Sequence, residues 1–368
     1  MIHFEANSAD EVWSQAVDKL RSVAPIQESR DQNTRELLHA TFTLHDPRQR
    51  IVFRRPINPA FAIAEVIWIL AGANGADFLR FWNPRMMRFT DDQDRQLFHG
   101  AYGFRLGSQP TLNGEAPARL RHEIAPAGAP DGVPRLDQIR TAYEALRQTP
   151  HSRQVVLQIW DSRFDLPRPA PMSRDIPCNL VSHLLVRNGK LEWLQVMRSN
   201  DLIWGTPYNF IQFTTIQEII AGWLGVEVGT YNHLSDSLHV YERHWADLAT
   251  FETAEMERRH VPVNHADLRI ASYEEWERLW ARLVDDASRL ATYTAEVDLL
   301  DVARQATDLP PAYAQWIALL TAEALRRRGY GEVAHKAVAQ AGDFWATSWI
   351  QWADSMSSRP APEGANVE

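Results

Sequence analysis

Apolar residues recur at helical spacing from Glu11 to Val23, through Val12, Trp13, Ala16, Val17 and Leu20, and predict an amphipathic helix. A second helix is predicted over Asn58 to Ala73. Its body is almost wholly apolar, with Phe61, Ile63, Val66, Ile67, Ile69 and Leu70, and only Glu65 breaks the pattern. Leu136 to Gln148 is helical again, and His151 to Trp160 turns into a strand. Leu180 to Val186 and Leu191 to Met197 are apolar runs flanking Arg187-Asn-Gly-Lys190, and Asn-Gly in that setting predicts a tight hairpin. Phe210 to Leu224, closed by Gly225, reads as a long helix preceded by a loop holding Asp201, Gly205, Pro207 and Asn209. Val226 to His244 reads as a last strand, with His239 and Tyr241 on one face by the period of two. Two helical segments follow, Trp316 to Arg328 and Glu332 to Trp352. Between Leu106 and Pro134 the chain is rich in Gly, Pro, Ala and Asn without periodicity, as expected of a surface insertion.

The 368 residues would accommodate two domains or one large domain with insertions, and 45% hydrophobic with 23% charged residues is ordinary for a globular fold. A single cysteine excludes an internal disulfide framework and suits a reducing compartment. Met1-Ile-His-Phe-Glu-Ala lacks a basic segment leading into an apolar one, and no apolar run has membrane-spanning length, so a cytoplasmic protein is expected. A formal charge of −9 argues against general nucleic-acid binding. The one basic run, Arg326-Arg327-Arg328, is expected to be a solvated helix end. His183, His233, His244 and His260 do not fall into metal-ligand spacing, and no metal is assigned.

The chemistry concentrates in Asp175-Ile-Pro-Cys-Asn-Leu180 and Met197-Arg-Ser-Asn-Asp-Leu-Ile-Trp-Gly-Thr-Pro-Tyr-Asn209. A lone cysteine is usually a small buried hydrophobe. Here Pro177 stiffens the backbone before Cys178, and Arg174 and Arg198 are placed to lower the thiol pKa. Arg198-Ser199 offers a planar fork and a hydroxyl, a pairing suited to phosphate. The hairpin brings Cys178, at the start of one strand, beside Arg198-Ser199, at the end of its neighbour. Glu65 is costly to bury as a charge, so it is either a paired structural carboxylate or a pocket-wall group with a raised pKa.

Pro-Cys, Arg-Ser-x-Asp, Gly-x-Pro-Tyr-Asn and His-x-Tyr, in this order, resemble the thymidylate synthases and the related pyrimidine nucleotide hydroxymethylases. The resemblance is dense from Ser152 to His244 and patchier from about Arg30 to Gly107. It implies an α/β (α+β) fold with a mixed β-sheet packed with helices. Residues 1–300 would form the catalytic domain, 301–352 a helical extension and 353–368 a polar tail. The implied reaction adds the Cys178 thiolate to C6 of a pyrimidine nucleoside monophosphate. C5 then takes a one-carbon unit from methylene-tetrahydrofolate. Glu65 and Tyr102 would handle protons and water. The backbone amide of Asp201 would serve the pyrimidine O2, and Asn209 would read N3 and the C4 substituent unless it is only a helix N-cap. Arg30, Arg198 and Ser199 would hold the phosphate, and His239 and Tyr241 the sugar. The folate would meet Asn58, Trp82, Asp201 and Gly205. A homodimer is implied, with Arg153 reaching the partner's phosphate site.

The chain departs from the thymidylate synthase pattern in three places. Arg153 is followed by Gln154, where relatives carry a second arginine. Cys178 is followed by Asn179, where the synthases carry His and the hydroxymethylase branch does not. The synthases end in a short apolar tail that closes over the folate, whereas here helical segments follow. The first leaves one cross-subunit arginine instead of two; the other two favour hydroxymethylation over methylation. Asn209 leans toward uracil, since the cytosine-specific relatives carry aspartate. A catalytically silent nucleotide-binding paralogue is the alternative of another class, and the presence of Cys178 and Glu65 speaks against it.

Overall fold

The computed structural model describes residues 1–23, 25–28, 33–90, 96–107, 109–110, 135–166, 175–248 and 265–357. Arg30, Arg174 and most of the 106–134 insertion therefore lie outside the described residues, as do residues 358–368. Among the described residues there are ten strands: β1 Ile2–Ala6, β2 Ile26–Gln27, β3 Thr34–Leu44, β4 Gln109–Pro110, β5 Arg135–Leu136, β6 Val156–Gln158, β7 Asn179–Arg187, β8 Lys190–Met197, β9 Asn200–Asp201 and β10 Glu227–Tyr241. The main sheet runs β1-β3-β10-β8-β7-β6, with β2 added at β3 and β9 at β10. It is mixed, with β10 antiparallel to β3 but parallel to β8 and β9. The fold is α/β of the expected kind.

The hairpin forms where the sequence places it. Asn188 and Gly189 both take positive φ, 51° and 72°, the twist a two-residue turn needs to join β7 to β8. Arg198 N–H then donates to the Cys178 carbonyl at 2.9 Å, so the sheet register itself fixes cysteine and arginine side by side.

The helices that frame the site are α1 Ala9–Val23, α2 Pro59–Leu70, α3 Ala76–Trp82, α4 Tyr102–Gly107, α5 Gln138–Gln148, α6 Ser162–Asp165 and α7 Gly205–Leu224. Helices α2 and α7 pack together and are buried nearly all round, as expected of elements whose sequences are apolar on every face. Helix α7 begins five residues earlier than its apolar run suggests. Gly205, Pro207 and Asn209 thus belong to its first turns and not to a loop. Pro207 is tolerated because amides in the first turn have no intrahelical acceptor. One buried charge on α7, Glu218, is paired with Arg50 and also accepts the Leu268 amide at 3.1 Å.

The C-terminal segments join the same core. The Pro311–Arg327 helix is buried along most of its length and packs on α2 and on the Tyr273–Thr292 helix. Glu332 to Trp352 is divided into Gly331–Val338 and Gly342–Ser357 by a 3₁₀ turn at Ala339–Ala341, and the helix runs five residues into the expected tail. The triple arginine is not a solvated helix end. Arg326 and Arg327 both donate to buried Glu323, Arg327 also reaches the Trp82 carbonyl, and Arg328 donates to the Ala324 and Ala291 carbonyls. Low solvent access along the helix makes these carbonyls and the carboxylate the available partners.

Candidate active site

Cys178 stands one residue before β7, partly accessible at the rim of the sheet. Arg198, just past the end of β8, donates Nε to the Pro177 carbonyl and Nη2 to the Ile176 carbonyl, both at 3.0 Å. The same Nη2 lies 3.9 Å from Cys178 Sγ. Its Nη1 makes no hydrogen bond among the described residues and is the atom left for an anion. Ser199 follows at the same rim, half-buried.

Burial pushes the Cys178 thiol above its ordinary pKa; Arg198 pulls it down and Asp201 pushes it further up. This corrects the expectation of a lowered thiol pKa. One guanidinium near 4 Å does not outweigh desolvation of the thiolate together with a nearby carboxylate. The resting thiol carries its proton, and forming the nucleophile requires a base.

Glu65 and Tyr102 are the other titratable groups expected at the site, and both are perturbed by burial. Glu65, in the middle of α2, has its carboxyl pushed by burial up to about 7, with Gln212 Nε2 donating to Oε2 at 2.6 Å. This is the pocket-wall reading of Glu65. Tyr102, at the start of α4, is raised well above the ordinary phenol range. Burial is the main cause, followed by the charges of Cys178 and Glu65, while Arg198 and the Asn179 backbone amide oppose it. Its hydroxyl therefore lies within the field of nucleophile, carboxylate and guanidinium together. Asp175 joins the two loops: its carboxylate accepts from the His99 and Gly100 amides, just ahead of Tyr102.

The residues expected to face the base lie mainly on β9 and α7. Asp201 Oδ1 accepts the Ile203 and Trp204 amides at 2.8 and 3.2 Å, while Oδ2 has no hydrogen-bond partner among the described residues. Strand β9 pairs with β10, matching Asp201 with His239, and Leu202 N–H donates to the His239 carbonyl at 2.9 Å. The His239 ring packs edge-on against Tyr241 with centroids 5.0 Å apart. Asn209 is no N-cap: it is buried inside α7, and its Nδ2 donates to Asn200 Oδ1 at 3.1 Å. Gly205 is required by this packing, since a Cβ there would lie 2.8 Å from Asn200 Oδ1.

Other expected residues are placed differently. Asn58 is the N-cap of α2, its Oδ1 accepting the Phe61 amide at 3.1 Å and its Nδ2 donating to Glu323 at 3.3 Å. Its Oδ1 thus caps α2, and its Nδ2 ties α2 to the C-terminal helix. Trp82 is fully buried against Phe78 and Phe81. Arg153 is exposed on the loop before β6, and its carbonyl accepts from His183 Nε2 at 3.2 Å. Among the described residues it makes no hydrogen bond or ion pair to the other expected site residues.

Three contributors escaped the sequence reading. Gln212 lies three residues after Asn209, on the same face of α7, and that spacing was the available signal. Asp175 was visible only as part of the cysteine motif. Asn200 sits between Ser199 and Asp201 with no local cue to its role. Asn179 is fully buried beside the nucleophile; its Oδ1 accepts from Gln195 Nε2 at 2.6 Å, and its Nδ2 has no partner among the described residues. No group of three or more potential metal ligands occurs among the described residues. No helix there is long and apolar enough to cross a membrane.

Comparison with known proteins agrees with this geometry. A family model described as thymidylate synthase matches residues 17–295. The chain is 34% identical over 244 residues to a deoxyuridylate hydroxymethyltransferase of Bacillus phage SP01, covering 66% of this chain and 59% of that protein. It is 32% identical over 200 residues to a protein of the same name from Pseudomonas phage M6, covering 53% of this chain and 49% of that one. A thymidylate synthase of Corynebacterium aurimucosum is 29% identical over 182 residues, 50% of this chain and 59% of that protein. The chain thus spans between half and three-fifths of the length of these relatives. The match of the family model over most of the chain, on a fold and thiol site of the expected form, shows that this protein belongs to the thymidylate synthase family.

Proposed function

We propose that the protein transfers a one-carbon unit from methylene-tetrahydrofolate to C5 of a pyrimidine nucleoside 5′-monophosphate, with hydroxymethylation of a uracil nucleotide as the specific reaction. The observation that carries this reading is the joint placement of Cys178, Arg198, Glu65 and Tyr102 in one electrostatically coupled site.

Glu65 can accept the thiol proton, directly or through water. The Cys178 thiolate adds to C6, and the C5–C6 π electrons move toward C5 and O4, making C5 nucleophilic. C5 would attack the methylene carbon of the folate co-substrate and Tyr102 would carry the C5 proton away. The C–N bond to the methylene breaks as tetrahydrofolate leaves, water adds to the exocyclic methylene, and the thiolate is expelled from C6, which gives the hydroxymethyl product. Arg198 Nη1 and Ser199 hold the phosphate, together with Arg30. Asp201 Oδ2 is an acceptor without a partner among the described residues, suited to an N–H donor of the folate ring, so the described residues fit folate through Asp201.

Asn179 and the two deoxyuridylate hydroxymethyltransferases, which exceed the synthase in identity and in the share of this chain covered, support a hydroxymethyl product. Asn179 Nδ2, one residue after Cys178, is a buried donor without a partner among the described residues, of the kind that holds a water. A homodimer is supported by the outer face of the sheet. Two cross-strand rows, Thr43-Asn232-Leu194-His183-Val156 and Thr41-Leu234-Val196-Val181-Gln158, form a broad face in which Leu194 and Val156 are 38% and 50% exposed. Arg153 lies beside its edge, where it would reach the partner's phosphate site.

The test is purified protein with methylene-tetrahydrofolate and each of dUMP, UMP, dCMP and CMP, followed by product mass and dihydrofolate absorbance. A hydroxymethyl product without dihydrofolate supports the proposal. Dihydrofolate formation means methylation, and tight nucleotide binding without turnover means a silent paralogue. Sedimentation of the same protein decides the dimer.

A further inference from the structure

Behind Asn209 runs a continuous buried chain of polar side chains. Asn209 Nδ2 donates to Asn200 Oδ1 at 3.1 Å, and Asn200 Nδ2 lies 3.0 Å from His233 Nε2 and 3.2 Å from Ser235 Oγ. His233 Nδ1 is 3.0 Å from the Tyr231 hydroxyl. Asn200, His233, Ser235 and Tyr231 are all at most 3% exposed, so water does not substitute for any of these partners. Strands β9 and β10 fix the spacing: Asn200 pairs with Leu238, while Tyr231, His233 and Ser235 project inward by the period of two.

The chain has a direction. Burial holds the His233 pKa down to about 3, so the imidazole is neutral and carries a single N–H. If the proton is on Nδ1, it is donated to Tyr231, and Nε2 accepts from Asn200 Nδ2. Asn200 then turns its oxygen to Asn209, which must answer with its nitrogen, as in the structure. If the proton is on Nε2, the order inverts: Asn200 presents oxygen to His233 and nitrogen to Asn209, and the Asn209 amide turns over. Ser235 serves either arrangement, since a hydroxyl donates or accepts.

Uracil and cytosine nucleotides differ in the same sense. Uracil offers an N3–H donor and an O4 acceptor; cytosine offers a bare N3 acceptor and an amine donor. An amide that meets both positions suits one base in one orientation and the other base when flipped. Building on the proposed role of Asn209 in reading the base, we infer that Asn200, His233 and Tyr231 are positioning residues that set the Asn209 amide and thereby the choice between uracil and cytosine. The discrimination is achieved away from the pocket surface, by residues that never touch the nucleotide.

The experiment measures kcat/KM for C5-hydrogen exchange on dUMP and on dCMP in the full-length protein and in three variants. Asn200→Ala removes the coupling and is expected to reduce the wild-type base preference by about tenfold or more. Asn200→Asp can only accept, so it holds Asn209 nitrogen-inward and keeps the preference within about threefold. Tyr231→Phe leaves His233 Nδ1 without its hydroxyl partner, so the tautomer is no longer fixed from that side, and the base preference is expected to change by about tenfold or more in either direction, while the packing of the ring stays in place. It decides the question if Asn200→Ala fails to fold. A base preference unchanged in Asn200→Ala and Tyr231→Phe, with both bases slowed equally, overturns the inference while leaving the proposed reaction intact. Absence of exchange on either base in the wild type removes the proposed reaction, and the inference with it.

Discussion

Gln212 donates its side-chain amide to the Glu65 carboxylate across 2.6 Å, a polar contact between two strongly apolar helices of the core. The hydrogen bond favours the charged carboxylate and desolvation opposes it. Desolvation wins, leaving the carboxyl pKa at about 7. A group titrating there is matched to proton transfer near neutral pH.

Glu65 should therefore set both a pH profile and a stability cost. Its folded pKa lies above the ordinary carboxylate value, so the folded protein binds the extra proton, and stability falls as pH rises from about 4.5 to 7. Glu65→Gln should be more stable than wild type at about pH 8, by roughly 1–3 kcal/mol, and lose this advantage near pH 4.5. The same variant should lose the titration near 7 from kcat/KM and at least about 100-fold in turnover. Denaturation at the two pH values and a pH–rate series check both.

Cys178 should react with a small alkylating agent as a thiol of raised pKa. Arg198→Met should move the midpoint of the alkylation-rate profile further up, because the guanidinium is the group lowering the thiol pKa while burial and Asp201 remain. A midpoint that falls in the variant would mean that Arg198 does not act on the sulfur.

Asp175→Ala should uncouple the Tyr102 loop from the cysteine loop. The lost acceptors leave the His99 and Gly100 amides unpaired, and kcat should drop about 10- to 100-fold. Asp175→Asn retains one acceptor and should recover part of the rate. Steady-state kinetics on both variants distinguishes this from a general loss of folded protein.

Glu323 ties the C-terminal helix to the active-site helix. It is fully buried and accepts from Asn58, Arg326, Arg327 and Trp349. Glu323→Ala would leave two partly buried guanidiniums without their carboxylate and should destabilise the protein by about 3 kcal/mol or more. Urea denaturation measures this, and a change below about 0.5 kcal/mol would show that the network is energetically idle.

Much of this arrangement was legible in the chain itself. The Asn188-Gly189 turn fixes the hairpin, and with it the neighbourhood of Cys178 and Arg198, because its chemistry is local. The lone carboxylate in an apolar helix marks Glu65 for the same reason. The start of α7 was misjudged because Gly205 and Pro207 resemble loop residues, whereas the first turn of a helix accepts both. The state of the Cys178 thiol, the capping work of Asn58 and the anchoring of Arg326 and Arg327 depend on burial against segments far away in sequence. So does the Tyr231-His233-Asn200 chain, whose members are brought together only by the pairing of β9 with β10.

The most direct test of the central claim is the mass of the intact protein after incubation with 5-fluoro-dUMP and methylene-tetrahydrofolate. Fluorine at C5 cannot leave as a proton, so the covalent complex should accumulate. The account predicts a protein heavier by nucleotide plus folate, with the added mass mapped to Cys178 and absent from Cys178→Ser. An unmodified wild-type protein, or an adduct that survives in Cys178→Ser, would contradict it.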